Sequence, residues 1–242
     1  MWKFVIAIFY CCLLFGCVEK SSNLQNEFKA SDSITFRDEL TIREKTIPLP
    51  PGEWKVISSG YDSEKFFSVH LIQEHPGKLF SLIVISVDSL ELNREYGYKK
   101  NVSIDRLDLN YKVMNKNTDG DEQDWWYVNN YIITATPKEG KPVLNEGINY
   151  IRSHGYIISS DYILTRHYLT GKHPYKKRYL EIEYYNNPEI AGFPPGPKSE
   201  WATSDWNASR VNADQRKVQY INDLIKEHTI VHEKLKAGFH PN

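Results

Sequence analysis

The chain has 242 residues, with 30 Lys and Arg against 31 Asp and Glu, and its longest basic run is only Lys176-Lys177-Arg178. With no basic excess to neutralise phosphates, the composition argues against nucleic-acid binding. All three cysteines, Cys11, Cys12 and Cys17, stand near the start of the chain.

Met1-Trp2-Lys3 is a short, positively charged start, and Phe4 to Phe15 (FVIAIFYCCLLF) is an apolar run. That run is shorter than the roughly 20 residues a membrane-spanning helix needs. It matches the apolar segment of a secretory signal. Leu14-Phe15-Gly16-Cys17 then resembles the lipobox of bacterial lipoproteins: an aliphatic residue, a variable one, a small one and a cysteine. The resemblance implies cleavage after Gly16 and acylation of Cys17. Several acyl chains, at about 0.8 kcal/mol per buried CH₂, hold a protein firmly to a bilayer. Cys11 and Cys12 would leave with residues 1–16. The mature chain would then carry 29 basic and 31 acidic residues and no thiol except Cys17. Such a chain has no intrachain disulfide, no Cys-ligated metal and no free Cys nucleophile. In enterobacterial members of the family an Asp after the lipidated cysteine retains the protein at the inner membrane. Val18 stands there instead, which implies an outer-membrane location facing the periplasm.

Val18 to about Asp32 is polar and lacks sustained helical or strand periodicity, as expected of a tether. We divide the chain into a signal at 1–16, the lipidated cysteine and tether at 17–45, and one globular domain at 46–242. Pro48, Pro50 and Pro51 in "IPLPPGEW" give an extended entry to that domain. Strands are expected at Glu53–Ser58, Lys65–Glu74 and Leu79–Val87, the last two joined by a turn at His75-Pro76-Gly77-Lys78. Tyr111–Asn115 and Asp124–Ala135 form a second hairpin around Asp119-Gly120. Pro142–His154 reads as a helix with Pro142 in its first turn and Gly155 after its end. Tyr156–Leu169 and Lys177–Tyr185 form a third hairpin. A Pro- and Gly-rich loop follows, and then one long helix from Asn207 or Ser209 to about Lys236, ended by Gly238. Strands that come as hairpins rather than alternating with helices specify an α+β fold: an antiparallel sheet packed by a short middle helix and a long C-terminal helix. The segments "PLPPGEW", "YNNPEIAGF" and "SDWN" resemble uncharacterised proteobacterial envelope lipoproteins, a likeness that carries no activity with it.

Few residues suggest chemistry. Asn115 to Trp126 begins like a calcium-binding loop, with Asp119 and Asp121 as its acidic candidates. Its first position is Asn115 and its twelfth is Trp126, where such loops want Asp and Glu, so an acidic hairpin turn explains it better. His228 and His232 lie four apart on the apolar stripe of the last helix, a spacing that suits two ligands of one metal. The segment "HTIVH" lacks the Glu of zinc proteases, and two hydrogen-bonded side chains at the edge of the core are the simpler reading. No metal and no other cofactor is therefore expected. Trp125, Tyr127 and Tyr131 share one face of their strand, and Trp126, Val128 and Ile132 the other. The first set is a candidate interaction surface, although aromatic residues fill cores as readily. Glu181 and Glu183 share a strand face, as paired carboxylates do in acid–base catalysis. Serine-nucleophile and phosphate-loop motifs are missing, so no catalytic residue is assigned. The reading is a membrane-anchored envelope lipoprotein acting as a non-catalytic binding or accessory module, with another envelope protein or a cell-wall component as partner. The alternatives are an envelope hydrolase using carboxylates or a His-bound metal, and an immunity-type inhibitor of a secreted toxin.

Overall fold

The computed structural model describes residue 28 and residues 34–63, 66–88, 110–116, 123–133, 141–172, 177–197 and 203–239. Ten strands occur among them: β1 (Thr35–Phe36), β2 (Glu39–Ile42), β3 (Lys45–Pro48), β4 (Trp54–Ser63), β5 (Phe66–Glu74), β6 (Phe80–Asp88), β7 (Asn110–Lys116), β8 (Gln123–Tyr131), β9 (Tyr162–Lys172) and β10 (Lys177–Asn186). The helices are α1 (Pro142–Ser153), α2 (Ala208–Val211) and α3 (Gln215–Phe239). Eight strands form one sheet in the order β1-β4-β5-β6-β10-β9-β8-β7, every pair antiparallel, and β2 and β3 form a separate hairpin. The molecule is thus α+β with a short and a long helix on an antiparallel sheet, as the hairpin-rich sequence requires.

The two faces of the sheet follow from the period of two along each strand. On one face Phe67, Val69, Leu71, Ile83, Ile85, Val87, Leu180 and Ile182 meet Leu40, Ile42 and Ile47 of the β2–β3 hairpin and Leu235 and Phe239 of α3. On the other face Ile57, Ile72, Phe80, Leu82, Tyr162 and Leu164 pack under Ile151 of α1 and Tyr156 behind it. Each buried Leu, Ile, Val or Phe contributes about 1.5–3 kcal/mol of apolar burial. Gly147 brings α1 down onto the sheet, since a Cβ there would lie 3.0 Å from both His70 Nδ1 and Ser58 Oγ.

Several boundaries differ from the sequence expectations. Core packing begins before residue 46, since Phe28, Leu40 and Ile42 are buried. The hairpin behind this turns on Arg43 (φ 47°) and Glu44 (φ 64°), which take positive φ without glycine. Strand β9 starts at Tyr162 rather than Tyr156, because Asp161 is drawn into a buried network with Asn130 and Ser204. The last helical region is two helices. Asn207 caps α2 through the Ser209 N–H at 3.1 Å, the chain turns, and Asp214 accepts from Arg216 N–H at 2.9 Å to start α3. Gly238 lies within α3 instead of ending it, where an added Cβ would come 2.4 Å from the Thr46 carbonyl oxygen. Gly155 behaves as expected: with φ 71° it lets Tyr156 N–H reach the Ile151 carbonyl at 3.1 Å and close α1.

Candidate functional site

Two clusters of polar side chains lie back to back on β8, β9 and β10, one on each face of the sheet. They are built by adjacent residues of β9. Arg166 points to the α1 face and His167 to the α3 face, with their cross-strand partners fixed by register: Tyr127 and Glu183 for Arg166, Trp126 and Ile182 for His167.

On the α3 face, His167 is fully buried and sits between two histidines of α3. Its Nδ1 is 3.0 Å from His232 Nδ1, and its Nε2 is 3.0 Å from His228 Nδ1. His232 Nε2 bonds to Asp124 Oδ1 on β8, and the other Asp124 oxygen takes an ion pair from Lys236 Nζ at 3.0 Å. Trp126 stacks on the His167 ring at 5.5 Å between centroids and 17° between planes, and Tyr184 meets His228 edge-on at 4.9 Å. Burial, with the neighbouring imidazoles against it as well, pushes His167 well below the usual histidine range. Burial alone takes His228 down to about 3. Burial works to raise Asp124, but its hydrogen bonds to His232 and Lys236 outweigh that and hold it below the usual carboxylate value.

The pairing of His228 and His232 was legible as a helical spacing; their partner His167 was not. The two ring nitrogens of His167 point apart, so His228 and His232 meet different ends of it. The three imidazoles form a chain rather than a shell around one ion. Among the described residues no three His, Cys, Asp or Glu side chains are grouped as a metal site. Asp119, Asp121 and Cys17 lie outside the described residues.

On the α1 face, Arg166 makes ion pairs with Glu183 and, through Nε at 3.3 Å, with Glu181. Its guanidinium lies 5.7 Å from the Tyr127 ring centroid. Tyr179 donates to Glu181, and Tyr185 donates to Glu183 at 2.5 Å. The carboxylate pair singled out in the sequence is thus occupied in holding Arg166 and two tyrosyl hydroxyls. Arg166 still exposes 21 % of its side chain, Glu181 12 % and Glu183 13 %. The three aromatic candidates divide. Trp125 is buried, stacked on Tyr168 at 4.7 Å and 15° and on Tyr127 at 5.7 Å and 9°. Tyr127 and Tyr131 keep part of their surface open, and Tyr131 meets Tyr185 edge-on at 5.4 Å. Arg166 itself was missed in the sequence, and its signal is a charge in the middle of the apolar run "YILTRHYL".

Among the described residues no helix is long and apolar enough to cross a membrane. Compared with known proteins, the chain matches no family model, no curated protein and no solved structure.

Proposed function

We propose that this protein is a lipid-anchored bacterial envelope lipoprotein of the outer membrane. Its sheet domain is a non-catalytic binding module that engages another envelope component through the face bearing Tyr127, Tyr131, Arg166, Glu181 and Glu183. Anchoring is supported by the lipobox at Leu14–Cys17. The observation that carries the binding reading is the partial exposure of an Arg and two Glu beside two tyrosines in mid-sheet. A strand centre that only packs is normally apolar, whereas aromatic and Arg side chains together dominate recognition surfaces. The carboxylates hold the guanidinium in place, which favours recognition over proton transfer.

A photo-crosslinking residue placed at position 131 in the full-length lipoprotein, in growing cells, tests this. It should trap a discrete envelope component, while the same residue at Ile230, 55 % exposed on α3 across the sheet, should not. No adduct from position 131, or identical adducts from both, would contradict the reading.

A further inference from the structure

Helix α3 is fixed to the sheet at two apolar places. Ile221 and Leu224 pack with Trp126, Val128 and Ile163 towards its start, and Leu235 and Phe239 join the main core at its end. Between them Ile225 and Val231 pack only in part, and the buried contact is centred on the imidazole chain, whose hydrogen-bond directions are determined by chemistry. Asp124 takes an ion pair from Lys236 and faces His232 Nε2 as an acceptor, so His232 Nε2 carries a proton. With one proton on each ring, His232 Nδ1 must accept from His167 Nδ1–H, and His167 Nε2 must accept from His228 Nδ1–H. All three donors then point towards Asp124, and His228 Nε2 is left without a proton.

We propose that this chain is a proton-binding latch: one proton taken up at His228 Nε2 reverses both N–H···N bonds and leaves the positive charge on His232, against Asp124. The transfer balances. His228 gains a proton at Nε2 and passes its Nδ1 proton to His167 Nε2. His167 passes its own Nδ1 proton to His232 Nδ1. His232 keeps its Nε2 proton and becomes an imidazolium between Asp124 and Trp126, whose ring centroid is 6.3 Å away. The first proton is accommodated because it ends beside a carboxylate. A second is not. The other charged groups near the chain among the described residues are Lys236, already on Asp124, and Glu233 and Glu227 on the flanks of α3. From β10 Tyr184 faces the chain, and burial pushes it far up and keeps it neutral. A second imidazolium would stand buried without a counter-ion, which a helix–sheet interface relieves by opening. The latch is closed and singly charged in mild acid and releases the middle of α3 in stronger acid.

The test is a pH titration of the full chain, ¹⁵N-labelled at histidine and held in detergent micelles, read by long-range ¹H–¹⁵N correlations that report each ring's tautomer. At pH 8 His228 and His167 should be Nδ1–H tautomers and His232 an Nε2–H tautomer. On acidification His232 should become doubly protonated while His167 and His228 both switch to Nε2–H, all with one shared midpoint. Asp124→Asn removes the charge that holds the imidazolium and should lower proton affinity at that midpoint by about tenfold or more, one pH unit. Nε2–H tautomers for His167 and His228 already at pH 8, or three separate midpoints, would overturn the proposal. The wild-type tautomers alone decide it if the variant does not fold.

Discussion

His70, His167 and His228 are all held neutral by burial: His70 is pushed down to about 4 and His228 to about 3, and His167 lies well below its ordinary value. The unfolded chain binds protons at these groups below about pH 6.5, while the folded one resists them. Their contribution is therefore intact above about pH 6.5 and is lost as pH falls towards the folded values. Each should cost about 2 kcal/mol by pH 5, since every pH unit below 6.5 is worth about 1.4 kcal/mol per group. Urea unfolding at pH 8, 6.5 and 5 should show a flat region and then a steep fall, and His228→Gln should make that fall shallower. A stability that is level from pH 8 to 5 would contradict the burial account. Gly238 gives a test of opposite sign to propensity. Ala is the better helix former by about 1 kcal/mol, yet a Cβ 2.4 Å from the Thr46 carbonyl oxygen must force α3 away from β3. Gly238→Ala should lose about 1–3 kcal/mol, as overpacked sites do. A raised Tm would show that the close approach is not there.

Helix α3 was legible as an element because Val218, Ile221, Ile225 and Leu235 recur at helical spacing, and the structure places Ile221, Leu224 and Leu235 in the core. Leu235 is fully buried, so Leu235→Ala should cost about 2–5 kcal/mol by chemical denaturation. Ile225, only half-buried, should cost distinctly less, and equal losses would mean that the helix is rotated from this position. The ends of α3 were less legible. Asn207 and Asp214 are both good N-caps, and the sequence does not say that the chain uses both. Gly238 has the composition of a helix stop and the role of a contact. The β2–β3 hairpin was hidden for a related reason. Hairpin turns are usually recognised by Asn-Gly or Asp-Gly, but here Arg43 and Glu44 adopt the positive φ values. What stabilises the hairpin is the burial of Leu40, Ile42 and Ile47 against a sheet supplied by later residues.

Across the whole molecule, β4-β5-β6 and β8-β9-β10 are two meanders that meet where β6 pairs with β10, Ile85 opposite Ile182. Each hairpin was readable locally from alternation and turn residues, whereas the seam joins segments about a hundred residues apart and leaves no local mark. The same holds for the imidazole chain, since His167 and His232 are 65 positions apart. The described residues contain no cysteine, and the proposed removal of residues 1–16 would leave the chain one thiol, at Cys17. Thermal unfolding of the protein with and without reductant should superimpose, and a shift would reveal redox chemistry that this account lacks. Its central claim is that Cys17 anchors the domain to the envelope. The most direct measurement is the intact mass of the full-length gene product extracted from membranes, beside its Cys17→Ser variant. The account predicts a wild-type chain that begins at Cys17 and carries acyl chains there, and a variant that carries none. A wild-type mass that retains residues 1–16, or shows Cys17 unmodified, would contradict it.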